Sequence, residues 1–144
     1  MLGAVLMALV GFFGVSQHSG AAENPPQIVL ETSTGKHPVN VEWATTVEQR
    51  TQGLMFREKM AEDAGMIFDF GGEQPLVFWM KNTILSLDMV FIHQDGTVYR
   101  IEQRTEPYSE RNIPSGAPVR YVLEVNAGTA KRIGLKPGDK VRLN

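Results

Sequence analysis

The sequence predicts an α+β fold rich in β: a small barrel or strongly curved, mostly antiparallel sheet with two short helices. Three observations carry this reading. Short apolar or alternating runs recur along the chain, each bounded by Gly, Pro, Asn or Asp. Only two stretches carry helix start and stop signals. No repeat or linker divides the chain after its first residues, and its 144 residues suit one domain.

The elements follow in order. Gln27 to Ser33 alternates and ends at Thr34-Gly35-Lys36; Val39 to Trp43 alternates again, so the pair reads as a β-hairpin. Thr45-x-x-Glu48 reads as a capping box and Gly53 as a C-terminal stop, which predicts a helix over 46–52. Ala61 to Gly65 is a turn. Met66 to Phe70 is a strand that Gly71-Gly72 should end, and Leu76 to Met80 is a strand opened by Pro75. Leu87 to His93 is apolar on both faces except for Asp88, so it is expected at the centre of the sheet. Asp95-Gly96 turns the chain into Thr97 to Gln103. Thr105 to Pro118, rich in Pro, Ser, Gly and charge, is the longest loop and a candidate functional one. Val119 to Val125 is a strand with Val119, Tyr121, Leu123 and Val125 on one face. Asn126 is expected to cap a helix ending near Ile133, stopped by Gly134. Pro137-Gly138 leads into a last strand, Lys140 to Leu143.

The first residues stand apart. Leu2 to Val15 is nearly unbroken apolar sequence, shorter than the roughly 20 residues of a membrane span. With Gly20-Ala21-Ala22 behind it, the segment reads as a signal peptide, or as an anchor if uncleaved. Residues 1–22 are therefore set aside, and 23–144 form the single β-rich domain. The expected location is periplasmic or secreted.

Composition narrows the function. Fourteen bases against sixteen acids give a net charge of −2, which argues against nucleic acid as a partner, or a membrane beyond the N-terminal segment. Cysteine is absent, so disulfides, thiolate metal sites and cysteine nucleophiles are excluded. Glu23 to Asp95 holds 5 bases and 11 acids, Gly96 to Asn144 holds 9 and 5. Mutual attraction of the two halves accounts for this split more simply than an anion site.

Gly53-Leu54-Met55-Phe56-Arg57, Gly65-Met66-Ile67-Phe68, Phe78-Trp79-Met80-Lys81-Asn82-Thr83, Leu87-Asp88, Val122-Leu123-Glu124-Val125-Asn126-Ala127-Gly128 and Gly138-Asp139 occur in this order. Together they closely resemble the exported bacterial and archaeal family known as domain of unknown function 192, from about Thr45 to Leu143. The resemblance implies one compact β-rich domain, often behind a signal peptide, and carries no catalytic residues or cofactor with it.

Candidate chemistry rests on few residues. Asp88 and Glu124 are carboxylates in apolar strands, where burial is costly without a partner. They could serve as acid and base of a cell-envelope polysaccharide hydrolase near Trp79. The scaffold alternative has Asp88 accepting hydrogen bonds from the 82–86 loop and Glu124 paired with Arg57 or Arg120. Met55, Met60, Met66, Met80 and Met89 cluster, which suits either Cu(I) in a periplasmic copper-handling protein, assisted by His93, or core filling. Trp79 beside Lys81 and Asn82 offers a flat face with directional hydrogen bonds for a sugar or aromatic ligand. The leading expectation is a non-catalytic binding module without cofactor or metal. Its site would comprise Arg57, Trp79, Asn82, Asp88 and Glu124, holding a small polar molecule or an envelope component.

Overall fold

The computed structural model describes residues 24–143. The expected signal segment, 1–22, lies outside the described residues.

The strands are β1 (Gln27–Thr32), β2 (Gly35–Ala44), β3 (Ala64–Gln74), β4 (Val77–Phe78), β5 (Leu87–Ile92), β6 (Val98–Glu102), β7 (Ile113–Pro114), β8 (Val119–Asn126) and β9 (Lys140–Leu143). The helices are α1 (Val47–Gln52) and α2 (Thr129–Ile133). Seven strands form one sheet in the order β6-β5-β8-β3-β2-β1-β9, and β4 and β7 make a separate ribbon. All pairs are antiparallel except β2 with β3, whose parallel run requires the crossover that contains α1. The sheet curls until its outer strands meet. Thr97 bridges Lys140, the Val98 N–H donates to the Asp139 carbonyl (2.9 Å), and the Val141 N–H donates to the Gly96 carbonyl (2.8 Å). The expected β-rich α+β fold with a strongly curved sheet is therefore the observed one.

Alternation along the strands feeds two cores, one on each face of the sheet. The first packs Ile28, Leu30, Val41, Ile67, Val90, Leu123, Val125 and Val141 against Ala130 and Ile133 of α2. The second packs Met66, Phe68, Met80, Met89, Phe91 and Val122 beneath Leu54, Leu76 and Ile113. Two cores explain why every residue of β5 is buried. The strand is second from the edge rather than central, because α2 packs over one of its faces and the β4–β7 ribbon over the other.

Other local expectations shift for identifiable reasons. The capping box is Thr46 with Gln49, not Thr45 with Glu48: the Gln49 N–H donates to Thr46 Oγ1 and the Thr46 N–H to Gln49 Oε1, both at 3.1 Å. Gly71-Gly72 does not end β3. The ladder with β8 instead slips between Asp69 and Gln74, a bulge that the left-handed Gly71 (φ 81°) accommodates. Beyond that slip, Val119 faces the second core while Tyr121, Leu123 and Val125 face the first. The Leu76–Met80 run keeps only Val77 and Phe78 as strand, since the Leu76 N–H donates to Ser115 Oγ (2.9 Å) and the Met80 N–H to the Ser109 carbonyl (2.9 Å). Asn126 does not cap α2. Its Nδ2 donates to the Met60 (2.9 Å) and Ala61 (3.2 Å) carbonyls, tying β8 to the turn before β3.

The charge split becomes a set of ties between the halves. Arg120 grips Asp69 with two bonds (2.9 and 3.1 Å), Arg142 meets Glu31 (3.1 Å) and Arg132 meets Glu62 (3.3 Å). The Arg120 guanidinium holds the Asp69 carboxyl below its ordinary range.

Candidate functional site

A cavity of about 380 Å³ opens over the second face of the sheet, between α1 and the β4–β7 ribbon. Its apolar wall is Leu54, Phe68, Phe70 and Phe78, with Val47 and Val77 at the rim. Phe78 is its keystone, edge-on to Phe68, Phe70 and Phe91 at centroid distances of 5.3, 6.0 and 6.1 Å. Such pairs hold aromatic rings in defined orientations rather than as loose filler.

Two cations line the cavity. Arg50 of α1 sits over the Phe70 ring (5.0 Å), with Nη1 donating to the Thr45 (2.6 Å) and Asp69 (3.0 Å) carbonyls. Lys81 sits over the Trp79 ring (5.1 Å) and lies 3.7 Å from Glu110. Trp79 is 45% exposed, so it lines the opening rather than filling the core.

One acid reaches the cavity from the sheet. Glu124 is 5% exposed, yet its carboxyl has no hydrogen-bond or ionic partner among the described residues. Its cross-strand neighbours are Met66 on β3 and Met89 on β5, both buried. Burial among thioethers and rings, without a compensating charge, pushes the Glu124 carboxyl up to about 8. It is therefore mostly protonated at neutral pH, offering one O–H donor and one C=O acceptor.

Asp88 is placed differently. It is fully buried, and it accepts three backbone N–H bonds, from Arg104 (2.9 Å) to Oδ1 and from Gly128 (3.1 Å) and Ala130 (2.9 Å) to Oδ2. Two of these belong to the start of α2, whose own N-cap, Gly128, has no side chain to offer. The scaffold expectation was right in kind and wrong in place, since the donors come from the 104 loop and α2, not from the 82–86 loop.

Of the five residues expected at the site, Trp79 and Glu124 line the cavity together. Asn82 stands beside it, with a left-handed backbone (φ 53°), a carbonyl accepting from the Phe56 N–H (2.9 Å) and Nδ2 4.0 Å from Met55 Sδ. Arg57 is engaged by Glu42, and Arg120 by Asp69, so neither pairs with Glu124. Asp88 points to the other face. Sequence reasoning missed Arg50, whose only signal was a base in the last turn of α1. It also missed Phe56 and Tyr108, exposed aromatics held at positive φ (64° and 63°), a conformation nothing in the sequence announces for a ring.

The methionines pack. Met66, Met80 and Met89 are buried in the second core, with Met60 against it. His93, expected to assist a metal, lies 3.3 Å from Glu73 and edge-on to Tyr99. Among the described residues, no group of three or more His, Asp or Glu side chains could hold a metal ion. No helix among them is long and apolar enough to cross a membrane.

Fold and site together define a small curled-sheet domain with an aromatic-walled cavity over one core and a buried acid, Glu124, among its lining. Residues 28–143 match the family DUF192, described as Uncharacterized ACR, COG1430, and the chain belongs to that family. Two solved structures are similar. One, from Sinorhizobium meliloti 1021, is of a protein proposed to be a transcription regulator; it is 51% identical, with a TM-score of 0.79 over 81% of this chain and 91% of the other. The other, from Novosphingobium aromaticivorans DSM 12444, is of a protein of unknown function; it is 38% identical, with a TM-score of 0.79 over 81% and 84% of the two chains. No curated protein matches.

Proposed function

We propose that this chain is a non-catalytic binding module, and that its ligand is a small molecule seated in the cavity between α1 and β4. The observation that carries this reading is Glu124, a buried carboxyl without a protein partner, facing a cavity whose mouth bears Trp79. A ligand group that meets such a carboxyl replaces cavity solvent with a directed hydrogen bond to a group that no protein atom engages. Binding is favoured over hydrolysis because Asp88, the partner a two-carboxylate mechanism would use, is spent on three backbone bonds. Copper handling has no support, since the methionines of the cluster that are buried are packed against carbon. The regulator description of the Sinorhizobium relative is not extended to this chain. Its net charge is −2, and its described helices, of six and five residues, are too short to read a major groove.

The test is thermal denaturation of the purified protein against sugars, amino acids, organic acids and amines. One class should raise the Tm, by an amount equivalent to about 2.7 kcal/mol at 100 times its Kd. Trp79→Ala should weaken that response without lowering the ligand-free Tm. No response to any class defeats the reading.

Export is part of the same proposal and rests on Leu2 to Val15 and Gly20-Ala21-Ala22. Intact-mass measurement of protein from the cell envelope should show loss of the first 22 or so residues. A full-length cytoplasmic product would contradict it.

A further inference from the structure

We propose that the cavity selects a small amphipathic organic anion, a carboxylate on an apolar or aromatic body, whose head group is received among Arg50, Lys81 and Glu124. This inference rests on the binding reading above and names its ligand class.

The charged groups that face the cavity settle the sign. Arg50 comes from α1 and Lys81 from the segment after β4. The strands flanking β8 place only Met66 and Met89 beside Glu124, and β3 and β4 line the cavity with Phe68, Phe70, Val77 and Phe78. Glu110 lies beyond the lining residues, against Lys81, and Asp69 is held by Arg120. With Glu124 neutral, the lining therefore offers two cations, an O–H donor and no anion. A carboxylate meets complementary groups in each of them.

An amine meets the opposite. The Phe70 and Trp79 rings that could cage a cation already carry Arg50 and Lys81. The aromatic wall then fits the apolar body of the ligand, and the cavity volume suits a molecule of small-metabolite size.

The arrangement also makes binding pH-dependent. When the pH rises through about 8, Glu124 loses its proton, and a bound carboxylate would face a second carboxylate at close range.

Three ligands sharing one body test this: phenylacetate, 2-phenylethanol and phenethylamine. Tm is measured with and without each at pH 6 and pH 9.5, on the wild type, Glu124→Gln and Lys81→Gln. Phenylacetate should raise the wild-type Tm at pH 6 more than the alcohol does, and the amine should not raise it. Its affinity should be roughly thirtyfold weaker at pH 9.5, following the fraction of Glu124 that keeps its proton when the midpoint lies near 8. Glu124→Gln, uncharged at both pH values, should keep the phenylacetate response at pH 9.5. Lys81→Gln, at an exposed position, should weaken it at both. If the alcohol or amine matches phenylacetate, or the wild-type response is unchanged at pH 9.5, the anion proposal falls and the binding reading stands. If none of the three responds, the proposal falls too, and the wider panel decides the binding reading separately.

Discussion

Asp88 and Glu124 stand on hydrogen-bonded neighbours, β5 and β8, yet their side chains leave opposite faces of the sheet. The register is the cause. Asp88 is opposite Val125 and Glu124 is opposite Met89, and directly opposed residues share a face. One carboxylate is thereby built into the scaffold and the other is presented to a cavity.

Replacing Asp88 with Asn should be costly. The amide keeps one acceptor but turns an NH₂ toward backbone N–H groups that need one, at the start of α2 or at Arg104. Loss of bonds to a charged acceptor predicts destabilisation of about 1.5–3 kcal/mol. Urea midpoints of wild type and variant measure it. An unchanged midpoint would remove Asp88 from its structural role.

Glu124 predicts a pH dependence of the opposite sign to that of a salt-bridged acid. Its folded midpoint, about 8, lies above the ordinary 4.5. Between these values the folded chain holds a proton that the unfolded chain has released. Stability is therefore greatest below about 4.5 as far as this group is concerned, falls as pH rises toward 8, and levels off above it. Glu124→Gln should flatten that slope and be more stable than wild type at pH 9. Urea midpoints across pH 5 to 9.5 give the comparison, and parallel curves for the two proteins would contradict it.

Met66→Leu and Met80→Leu should each cost under about 1.5 kcal/mol, as volume-conserving exchanges within a core do. Neither should alter metal content by elemental analysis. Stoichiometric copper in the wild type, lost in either variant, would overturn the packing assignment.

Gly96→Ala should be among the most damaging small substitutions. Gly96 has φ 85°, and a Cβ there would come within 2.5 Å of the Val141 carbonyl oxygen. Left-handed strain alone predicts about 1–3 kcal/mol, and the clash pries at the join between the outer strands. Thermal or urea unfolding reads the loss. A variant as stable as wild type would show that the join yields freely.

Much of the fold could be read from local pattern. The β1–β2 hairpin, Gly53 and Gly134 as helix stops and the closing strand β9 each depend on neighbours in sequence, where alternation and turn chemistry speak directly. What could not be read depends on distant partners. The burial of β5 comes from α2 and the β4–β7 ribbon, not from flanking strands. The α2 cap comes from Asp88, forty residues earlier in the chain. For the site, Trp79 and Glu124 stood out as unusual residues in their runs. Their meeting needed the β4–β7 ribbon to fold over the second core, and α1, across the cavity, brought Arg50. Asp88 and Glu124 looked like a pair in sequence because side-chain direction depends on register, which composition does not reveal.

The join of β6 to β9 also sets when this chain can finish folding. β1 is paired on one side by its hairpin partner β2, but its other side waits for β9, with Glu31 opposite Lys140. A ribosome delivering the chain from its N-terminus must therefore release everything through Leu143 before that edge is covered. Until then β1 presents a row of unsatisfied backbone groups, a surface on which a second chain could pair. Vectorial synthesis and the topology thus pull in opposite directions. Nascent chains cut short of Lys140 should be the aggregation-prone species, and holding them apart falls to whatever escorts the chain before β9 emerges.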